Sequence, residues 1–561
     1  MAGTDTGGLI DPNTGFCLLT KTFHSLRPSY TLPPPSQPLS VAEFTFSLLH
    51  SSIAAATNTS AATFLINAVT GQRLTYADFL RQTNSLAISL PKNYSLSKND
   101  VAYILCPSSF HIPVLYFSLL SIGVIISPAN PLSSTSEISH QIQISKPTIA
   151  FATSHTSRKL PPNLRTILVD SPEFLSLLSI QNQNQNGNGV VSFTKSTPAV
   201  NQSDSAAIFY SSGTTGKMKG VLLTQQNLIA LVAIHYHSIT ESIRTEPSLA
   251  NLVELMMLPL FHVFGFFSLM KGVCMAQTLV LMEKFDFGTM LKTVEKYKIT
   301  YLPVSPPIIV VLTKSELTKK YDLTSLRLLR CGGAPLSVGA AGKFKEKFPD
   351  AKIIQGYGLT EGGLAAETRD AEKLGSVGRL VELMEAKIVD SVSGEALPPG
   401  QKGELLLRGP SIMKGYVGND KATAETLDSE GWLKTGDLCY FDSEGFLFIV
   451  DRLKELIKYK GYQVPPAELE HLLQSNPDIV DAAVIPYPDE AAGQIPMAFV
   501  VRKPGSNITE AQVMDFTAKQ VAPQKKIRRV AFINSIPKSA AGKLLRRELL
   551  GHAVSNNFSK L

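Results

Sequence analysis

One loop of small and hydroxyl residues stands out as the part of the chain best suited to chemistry. Residues 205–227 have the sequence SAAIFYSSGTTGKMKGVLLTQQN. The apolar start of this stretch predicts a buried strand, and its end predicts a helix capped by Thr224. Glycines let the backbone approach a ligand, and clustered N–H groups, hydroxyls and lysines favour an anion. The loop therefore predicts a polyphosphate site, and the alternative is an ordinary surface turn.

This loop does not fit the Walker A motif, G-x-x-x-x-G-K-[ST]. A phosphate-binding loop by itself therefore does not identify the fold. The segments around it are more informative. From residue 41 to about 170, apolar segments of strand and helix type alternate, which is typical of a wound α/β layer. Two further strands run into CGGAP at residues 331–335 and QGYGLTE at residues 355–361. Because ligands gather at the strand ends of such sheets, both are predicted to be glycine-rich binding loops.

The pattern of elements also predicts the domain organisation. Residues 1–40, rich in Pro, Ser and Thr, are expected to form an N-terminal arm. Residues 41–453 are expected to form a large α/β domain, in which short β segments at about 375–450 make a β-rich subdomain. A charged break precedes a small α+β domain at residues 454–561. The polar tract QNQNQNGNG at residues 181–189 is expected to be a surface loop.

Composition excludes several classes of protein. A chain of 561 residues is too long for one compact core, so more than one domain is expected. The net charge of +7 is spread along the chain, which gives no indication of nucleic-acid binding. Five scattered cysteines without a C-x-x-C pair exclude a disulfide framework and the common zinc motifs. The apolar stretches at residues 112–128 and 255–270 are interrupted by Pro, Gly, Ser or His, which predicts core elements and no membrane span.

The last three residues carry a separate signal. Ser559, Lys560 and Leu561 form the S-K-L tripeptide that a peroxisomal import receptor recognises. They follow a polar segment in which a receptor could reach them. A peroxisomal location is therefore predicted.

Taken together, the motifs give the chain a family resemblance over nearly its whole length. It resembles the adenylate-forming superfamily of acyl-CoA synthetases, luciferases and adenylation domains, and above all the plant 4-coumarate–CoA ligases and their peroxisomal relatives. The motif SSGTTGKMKGV resembles the family's phosphate loop, in which Leu-Pro usually stands at the place of Lys217-Met218. The remaining motifs follow in the family's order: LPLFHVFG, GGAPL, QGYGLTE, GELLLRG, TGD, DRLKELIKYKGYQV and PKSAAGKLLRRE.

The resemblance implies a reaction in two halves. A carboxylate attacks the α-phosphate of ATP to give an acyl-adenylate and pyrophosphate, and the thiol of CoA then displaces AMP to give a thioester. Mg²⁺ would be held by Glu361, since carboxylate oxygens are the ligands this ion prefers. Lys543 would be the lysine of adenylation, while Lys458 and Gln463 fall on other active-site positions of the small domain. The small domain is expected to be mobile and to rotate about a hinge at Lys454.

The residues implied to hold the nucleotide fall into three groups. Phosphate groups would be bound by Ser211, Ser212, Gly213, Thr214, Thr215, Gly216, Lys219 and Thr360. Adenine and ribose would be bound by Gly332, Gly333, Ala334, Pro335, Gln355, Gly356, Tyr357, Asp437 and Arg452. Lys460 and Gly461 would face CoA in the second half-reaction, where a glycine lets pantetheine pass close to the backbone.

His262 has two interpretations. A histidine in an apolar stretch is usually a core residue with its hydrogen bonds satisfied. The resemblance implies instead that it positions or gates the acid substrate. Phe264, Pro307 and Gly332 would then be walls of the acyl pocket.

These observations predict a peroxisomal, ATP- and Mg²⁺-dependent carboxylate–CoA ligase acting on 4-coumarate- or cinnamate-type acids. Jasmonate precursors with a cyclopentanone ring, or fatty acids, are the alternative substrates. A luciferase-like oxygenase would share every ATP motif. The alternative from a different class is a non-catalytic nucleotide-binding scaffold, against which the presence of Lys543, Glu361 and Asp437 argues.

Overall fold

The computed structural model describes residues 10–55, 62–179, 199–211, 218–250, 252–369, 373, 375–539 and 542–555. Its helices in chain order are α1 (Val41–Ala55), α2 (Tyr76–Tyr94), α3 (His111–Ser121), α4 (Thr135–Ser145), α5 (Pro172–Leu177), α6 (Gln225–Thr245), α7 (Val263–Cys274), α8 (Phe287–Tyr297), α9 (Pro306–Lys314), α10 (Val338–Lys347), α11 (Asp420–Thr426), α12 (Pro466–Ser475), α13 (Glu510–Ala518) and α14 (Arg546–Ser555).

The strands are β1 (Phe16–Cys17), β2 (Thr22–His24), β3 (Thr63–Asn67), β4 (Arg73–Thr75), β5 (Val101–Leu105), β6 (Ile125–Pro128), β7 (Ile149–Ala152), β8 (Thr166–Leu168), β9 (Ser205–Ser211), β10 (Lys219–Thr224), β11 (Val253–Met256), β12 (Thr278–Leu281), β13 (Tyr301–Val304), β14 (Leu328–Cys331), β15 (Lys352–Leu359), β16 (Gly363–Glu367), β17 (Arg379–Leu380), β18 (Glu385–Val389), β19 (Gly403–Arg408), β20 (Gly415–Tyr416), β21 (Leu433–Phe441), β22 (Leu447–Arg452), β23 (Ile457–Tyr459), β24 (Tyr462–Val464), β25 (Ile479–Asp489), β26 (Gly493–Arg502) and β27 (Arg529–Phe532).

Two largely parallel sheets form the α/β layers of the large domain. One has the order β20-β10-β9-β6-β5-β7-β8, and the other has the order β17-β16-β15-β14-β13-β11-β12-β3-β4. The central strands of both sheets are almost continuously apolar because helices cover both of their faces. Helices α1, α3, α6 and α7 pack together in the main core. The predicted wound α/β architecture is confirmed.

Two smaller sheets complete the fold. An antiparallel sheet of order β1-β2-β18-β19-β21-β22 corresponds to the β-rich region predicted at residues 375–450. The five-stranded sheet built from β23 to β27 packs with α12 and α13 around a core of its own. In the first of these sheets, β18 and β21 alternate between buried and partly exposed residues, as expected for antiparallel strands with one buried face.

Part of the segment that is expected to form an N-terminal arm, among the described residues 10–40, belongs to a sheet. Its strands β1 and β2 extend the antiparallel sheet by pairing with β18. Phe23 is fully buried and its ring stacks on that of Phe441 at 4.1 Å. This aromatic burial ties the segment to a sheet more than 350 residues away in sequence, which a local pattern does not reveal.

Strand β15 also differs from the prediction. The sequence predicts that QGYGLTE is a loop, but β15 continues through Leu359 and pairs with β16, with a bulge between Tyr357 and Gly358. The glycines therefore lie in a strand that bends toward its partner, and the loop begins only at Thr360.

The two long apolar stretches lie inside the protein. Residues 112–128 form most of α3 and β6, and nearly all of them are buried. Residues 255–270 form parts of β11 and α7, which are buried, while most of residues 257–264 are half-buried. In the part of the chain that the structure describes, no helix has the length and apolar character needed to cross a membrane.

Candidate active site

A cavity of about 1070 Å³ lies where the large sheet, the β-rich sheet and the small C-terminal domain meet. The carboxyl ends of β14 and β15 open into it, as expected for ligand sites in wound α/β sheets. The predicted site residues that line the cavity are Ser211, His262, Phe264, Pro307, Gly332, Gly333, Ala334, Pro335, Gln355, Gly356, Tyr357, Thr360, Glu361, Asp437, Arg452 and Lys543.

The remaining predicted residues lie elsewhere. Ser212, Gly213, Thr214, Thr215 and Gly216 fall outside the described residues. Lys219 is buried beside the cavity, with its ammonium group 4.5 Å from the centre of the Tyr416 ring. Lys458, Lys460, Gly461 and Gln463 lie together on the exposed β23–β24 hairpin, away from the cavity wall.

A buried carboxylate forms one side of the cavity. Asp437 lies directly opposite Arg452 in the β21–β22 pair, which places the guanidinium Nε 3.7 Å from Oδ1 of Asp437. The hydroxyl of Tyr357 donates to Oδ2 of Asp437 at 2.5 Å. Burial raises the pKa of Asp437 above its usual value, and the charge of Arg452 offsets part of that rise.

A second carboxylate lies next to Ser211, at the end of β9. Oε1 of Glu361 accepts hydrogen bonds from the hydroxyl of Ser211 at 2.9 Å and from that of Tyr416 at 3.1 Å. Among the described residues, Oε2 of Glu361 has no hydrogen-bond partner. No cluster of three or more His, Cys, Asp or Glu suited to a metal ion occurs in those residues. One available carboxylate oxygen fits Mg²⁺, which is commonly held by one or two carboxylates together with substrate phosphates and water.

Lys543 enters the cavity from the C-terminal domain. Its backbone N–H donates to Oγ of Ser539 at 3.1 Å, and its carbonyl accepts from the N–H of Ser539 at 2.7 Å. The preceding Gly542 has a φ of +80°, and a Cβ there would lie 2.7 Å from Oγ of Ser305 at the start of α9. A glycine is needed for this close approach, which brings Lys543 against the large domain. Burial lowers the pKa of Lys543 to about 8, and the nearby charge of Arg452 contributes.

His262 is the N-cap of α7. Its Nδ1 accepts from the N–H of Phe264 at 3.3 Å, so the neutral ring carries its proton on Nε2. Burial lowers the pKa of His262 to about 4, with a smaller effect from the charge of Lys543. The imidazole is therefore neutral at pH 7 and can donate one hydrogen bond into the cavity.

Apolar side chains line the part of the cavity beyond His262. Phe264, Phe267, Pro307 and Val310 contribute to this wall. A Cβ on Gly332 would lie 3.5 Å from the Phe264 ring, so the glycine keeps the passage between them open. The predicted pocket residues are thus brought together.

A polar group of residues at the far end of this pocket was not predicted. His235, Ser268, Lys271, Tyr301 and Arg330 all line the cavity there. They come from α6, α7, β13 and β14, so no motif contains them. The one local signal is Lys271, a charged residue within the otherwise apolar sequence FFSLMKGVC.

Family models match both parts of the chain. Residues 53–417 match the AMP-binding enzyme family, and residues 468–543 match the C-terminal domain of AMP-binding enzymes. The first match alone covers more than half of the chain.

Curated plant proteins are similar over the whole length. The chain is 59% identical to "4-coumarate--CoA ligase-like 9" of Arabidopsis thaliana, covering 100% of this chain and 99% of that protein. It is 49% identical to "4-coumarate--CoA ligase-like 5" of Oryza sativa subsp. japonica, covering 98% and 97%. It is 43% identical to "Peroxisomal OPC-8:0-CoA ligase 1" of Arabidopsis thaliana, covering 98% and 99%.

Solved structures share the fold. ATP-bound MatB from Rhodopseudomonas palustris has a TM-score of 0.80 at 23% identity, covering 93% of this chain and 100% of that one. The o-succinylbenzoate CoA synthetase MenE from Bacillus subtilis, in complex with an acyl-adenylate, has a TM-score of 0.74 at 26% identity, covering 90% and 97%. With the family models and the plant relatives, these likenesses show that the chain belongs to the adenylate-forming AMP-binding enzymes, as a plant 4-coumarate–CoA ligase-like, AMP-forming CoA ligase.

Proposed function

We propose that this ligase activates a 4-coumarate- or cinnamate-type acid in the peroxisome, in a Mg²⁺-dependent reaction. The observation that carries the proposal is the convergence of Lys543, Glu361, Asp437 and His262 on one cavity. A buried cation, two carboxylates and a neutral imidazole are the groups needed to hold ATP and an acid together.

In the first half-reaction, an oxygen of the substrate carboxylate attacks the α-phosphorus of ATP and the bond to pyrophosphate breaks. Negative charge gathers on the oxygens around phosphorus, and a positioned ammonium group stabilises it. Lys543 supplies that charge, while Thr360 supports the α-phosphate. Burial strengthens the attraction because little water screens it.

The nucleoside is held on the other side of the cavity. Asp437 accepts hydrogen bonds from the two ribose hydroxyls, and Arg452 lies next to the same sugar. Tyr357 offers an aromatic face to adenine, beside the small residues Gly332, Gly333 and Ala334. The hydroxyl of Tyr357 fixes the Asp437 carboxylate before ATP arrives.

Glu361 is the proposed ligand of Mg²⁺, through its available Oε2. When bound, the ion would neutralise phosphate charge. Ser211 and Tyr416 orient the carboxylate by donating to its other oxygen. Ser211, Lys219 and the loop residues 212–216 are proposed to bind the phosphates that leave as pyrophosphate.

His262 is proposed to position the acid. Its Nε2–H donates to the substrate carboxylate, and its low pKa keeps the ring neutral, so it does not compete with Lys543 as a cation. Phe264, Pro307 and Gly332 form the walls that align the acid with the α-phosphate.

The second half-reaction needs a different face of the small domain. Lys458, Lys460, Gly461 and Gln463 lie on the exposed hairpin, whereas Lys543 occupies the cavity. We propose that the small domain rotates about Lys454, so that this hairpin meets CoA after the adenylate forms. The thiol sulfur then attacks the acyl carbon, and AMP leaves.

A cyclopentanone acid is the second candidate substrate, because a relative with 43% identity is named a peroxisomal OPC-8:0-CoA ligase. The name of that relative and the terminal Ser559-Lys560-Leu561 together support the peroxisomal location, through binding to an import receptor.

A screen of carboxylic acids tests the substrate assignment. Purified protein, ATP and Mg²⁺ are incubated with each acid, and the CoA-dependent release of AMP is measured. The proposal expects the highest kcat/KM for hydroxycinnamates. A higher value for cyclopentanone acids would replace that assignment with the second candidate, and no release with any acid would contradict the ligase mechanism.

A further inference from the structure

The cavity contains ionised groups that are almost completely buried and lie far from His262. Lys271 follows His262, the N-cap of α7, by nine residues, which is about 13 Å along the helix. Glu254 on β11 is 0% exposed and Lys271 on α7 is 2% exposed. The ammonium of Lys271 lies 2.5 Å from Oε2 of Glu254. The other carboxylate oxygen of Glu254, Oε1, accepts a hydrogen bond from the Ser268 hydroxyl. The same ammonium lies 3.7 Å from the centre of the Tyr301 ring.

A second ion pair adjoins the first. Arg330 is paired with Glu367, and its Nη1 lies 3.2 Å from Nδ1 of His235. Since Nδ1 accepts from the guanidinium, the neutral His235 ring carries its proton on Nε2. Among the described residues Nε2 has no other partner, and the ring lines the cavity.

The charges within this cluster are balanced. Glu367 also binds Arg369, which in turn binds Glu382. Three cations, Lys271, Arg330 and Arg369, thus face three carboxylates, Glu254, Glu367 and Glu382. Burial keeps the pKa of His235 well below its usual value, so the ring adds no charge. After these ion pairs are made, the cluster still has N–H groups that can donate. It has no net positive charge with which to bind a second carboxylate on a dicarboxylic substrate.

An alkyl terminus would be a poor occupant of this end of the cavity. It would displace water from N–H groups and leave them without acceptors, which is unfavourable for each group left unpaired. An oxygen with lone pairs and no charge would instead accept from the Nε2–H of His235 or from the remaining N–H groups of Lys271 and Arg330.

We propose that His235, Lys271 and Arg330 form a recognition site for an uncharged oxygen, a ketone or hydroxyl, at the end of the substrate remote from its carboxylate. The enzyme then selects oxygenated acids over plain acyl chains and over dicarboxylic acids. The inference rests on the proposed function, in which the carboxylate lies between His262 and Lys543.

Matched pairs of acids test this selection. One pair is cinnamate and 4-coumarate, and another is a straight-chain alkanoate and the same chain with a ketone near its end. We expect kcat/KM to be about 10- to 100-fold higher for the oxygenated member of at least one pair, which is the size of one buried hydrogen bond. The alkanoate with a second, terminal carboxylate should be worse than the ketone.

Two variants assign the effect to the cluster. His235→Phe removes the donor without changing the charge balance, and the double variant Lys271→Met with Glu254→Gln removes one ion pair as a unit. At least one of them should bring the ratio within the pair close to one, while turnover of the plain acid persists. His237→Phe is the matched control, because His237 lies on the same helix but stacks on Tyr30 outside the cavity. It should leave the ratio unchanged.

Equal kcat/KM for both members of every pair in the unmodified enzyme would overturn the inference and leave the ligase function standing. So would an unchanged ratio in both cluster variants, or a preference for the dicarboxylic acid. No AMP release with any acid would contradict the proposed function itself, and the inference with it.

Discussion

Lys543 lies at a position where its charge depends strongly on its surroundings. Burial and the neighbouring guanidinium of Arg452 both disfavour the ammonium form, while Glu455 and Asp437 favour it. The balance lowers its pKa to about 8, which leaves the side chain mostly protonated at pH 7. A lysine in this state carries the charge that the proposed adenylation step requires, yet it loses its proton within an accessible pH range.

The first prediction is a loss of adenylation at alkaline pH. Because the pKa is lowered, the charge is present below about pH 8 and is lost as the pH rises through that value. We expect kcat/KM for acid-dependent ATP–pyrophosphate exchange to fall about tenfold per pH unit above it, since this parameter reports the free enzyme. In Lys543→Arg the side chain stays charged at alkaline pH. We expect this variant to be less active than the unmodified enzyme, but its activity should not decline above about pH 8.

A decline with the same midpoint in Lys543→Arg would assign the titration to another group. A profile of the unmodified enzyme that stays level up to the ordinary lysine pKa of 10.5 would show that Lys543 is not desolvated as the structure indicates.

At the scale of elements, the segment after the phosphate loop is specified locally. Thr224 caps α6 by accepting from the N–H of Asn227, and the Asn227 side chain accepts from the N–H of Thr224 in return. The amide of Asn227 also donates to the carbonyls of Pro410 and Ile412. This cap therefore fixes the start of α6 and ties it to the β-rich part of the domain.

The second prediction compares two helix caps of the same type. Thr224→Ala should destabilise the first turn of α6 by about 2 kcal/mol, because a buried N–H loses its acceptor. Thr509→Ala, at the exposed capping box of α13, should cost about 0.5–1 kcal/mol, since water can replace the hydroxyl. Hydrogen–deuterium exchange of the two helix starts measures both values. An equal loss at both sites would contradict the role given to burial.

These elements also show what the sequence could and could not reveal. The capped start of α6 follows from neighbouring residues, so the sequence predicts it and the structure confirms it. The sequence predicts a loop through Tyr357, which is wrong because the pairing of this strand with β16 is a tertiary contact. The polar end of the acyl cavity was missed because Lys271 and Arg330 meet only in the folded chain.

At the scale of the whole molecule, the proposed mechanism assigns the two half-reactions to two faces of one small domain. Lys543 faces the large domain, whereas Gly461 lies at an exposed hairpin turn with a φ of +83°. A Cβ on Gly461 would meet no atom within 4 Å. Alanine at this φ would strain the hairpin turn but would clash with no neighbouring atom in this orientation. We therefore expect its main effect on catalysis when the hairpin meets CoA in another orientation of the domain.

The most direct test measures the half-reactions separately in Lys543→Ala and Gly461→Ala. Lys519→Ala, an exposed lysine of the same domain paired with Asp515, is the control and should behave like the unmodified enzyme. Adenylation is followed by pyrophosphate exchange, and thioester formation is followed from supplied acyl-AMP and CoA.

We expect Lys543→Ala to lose adenylation by a factor on the order of 100 or more but to keep most of its thioester formation. Gly461→Ala should show the opposite pattern. Equal loss of both half-reactions in either variant would contradict the assignment of the two steps to two faces of a rotating domain.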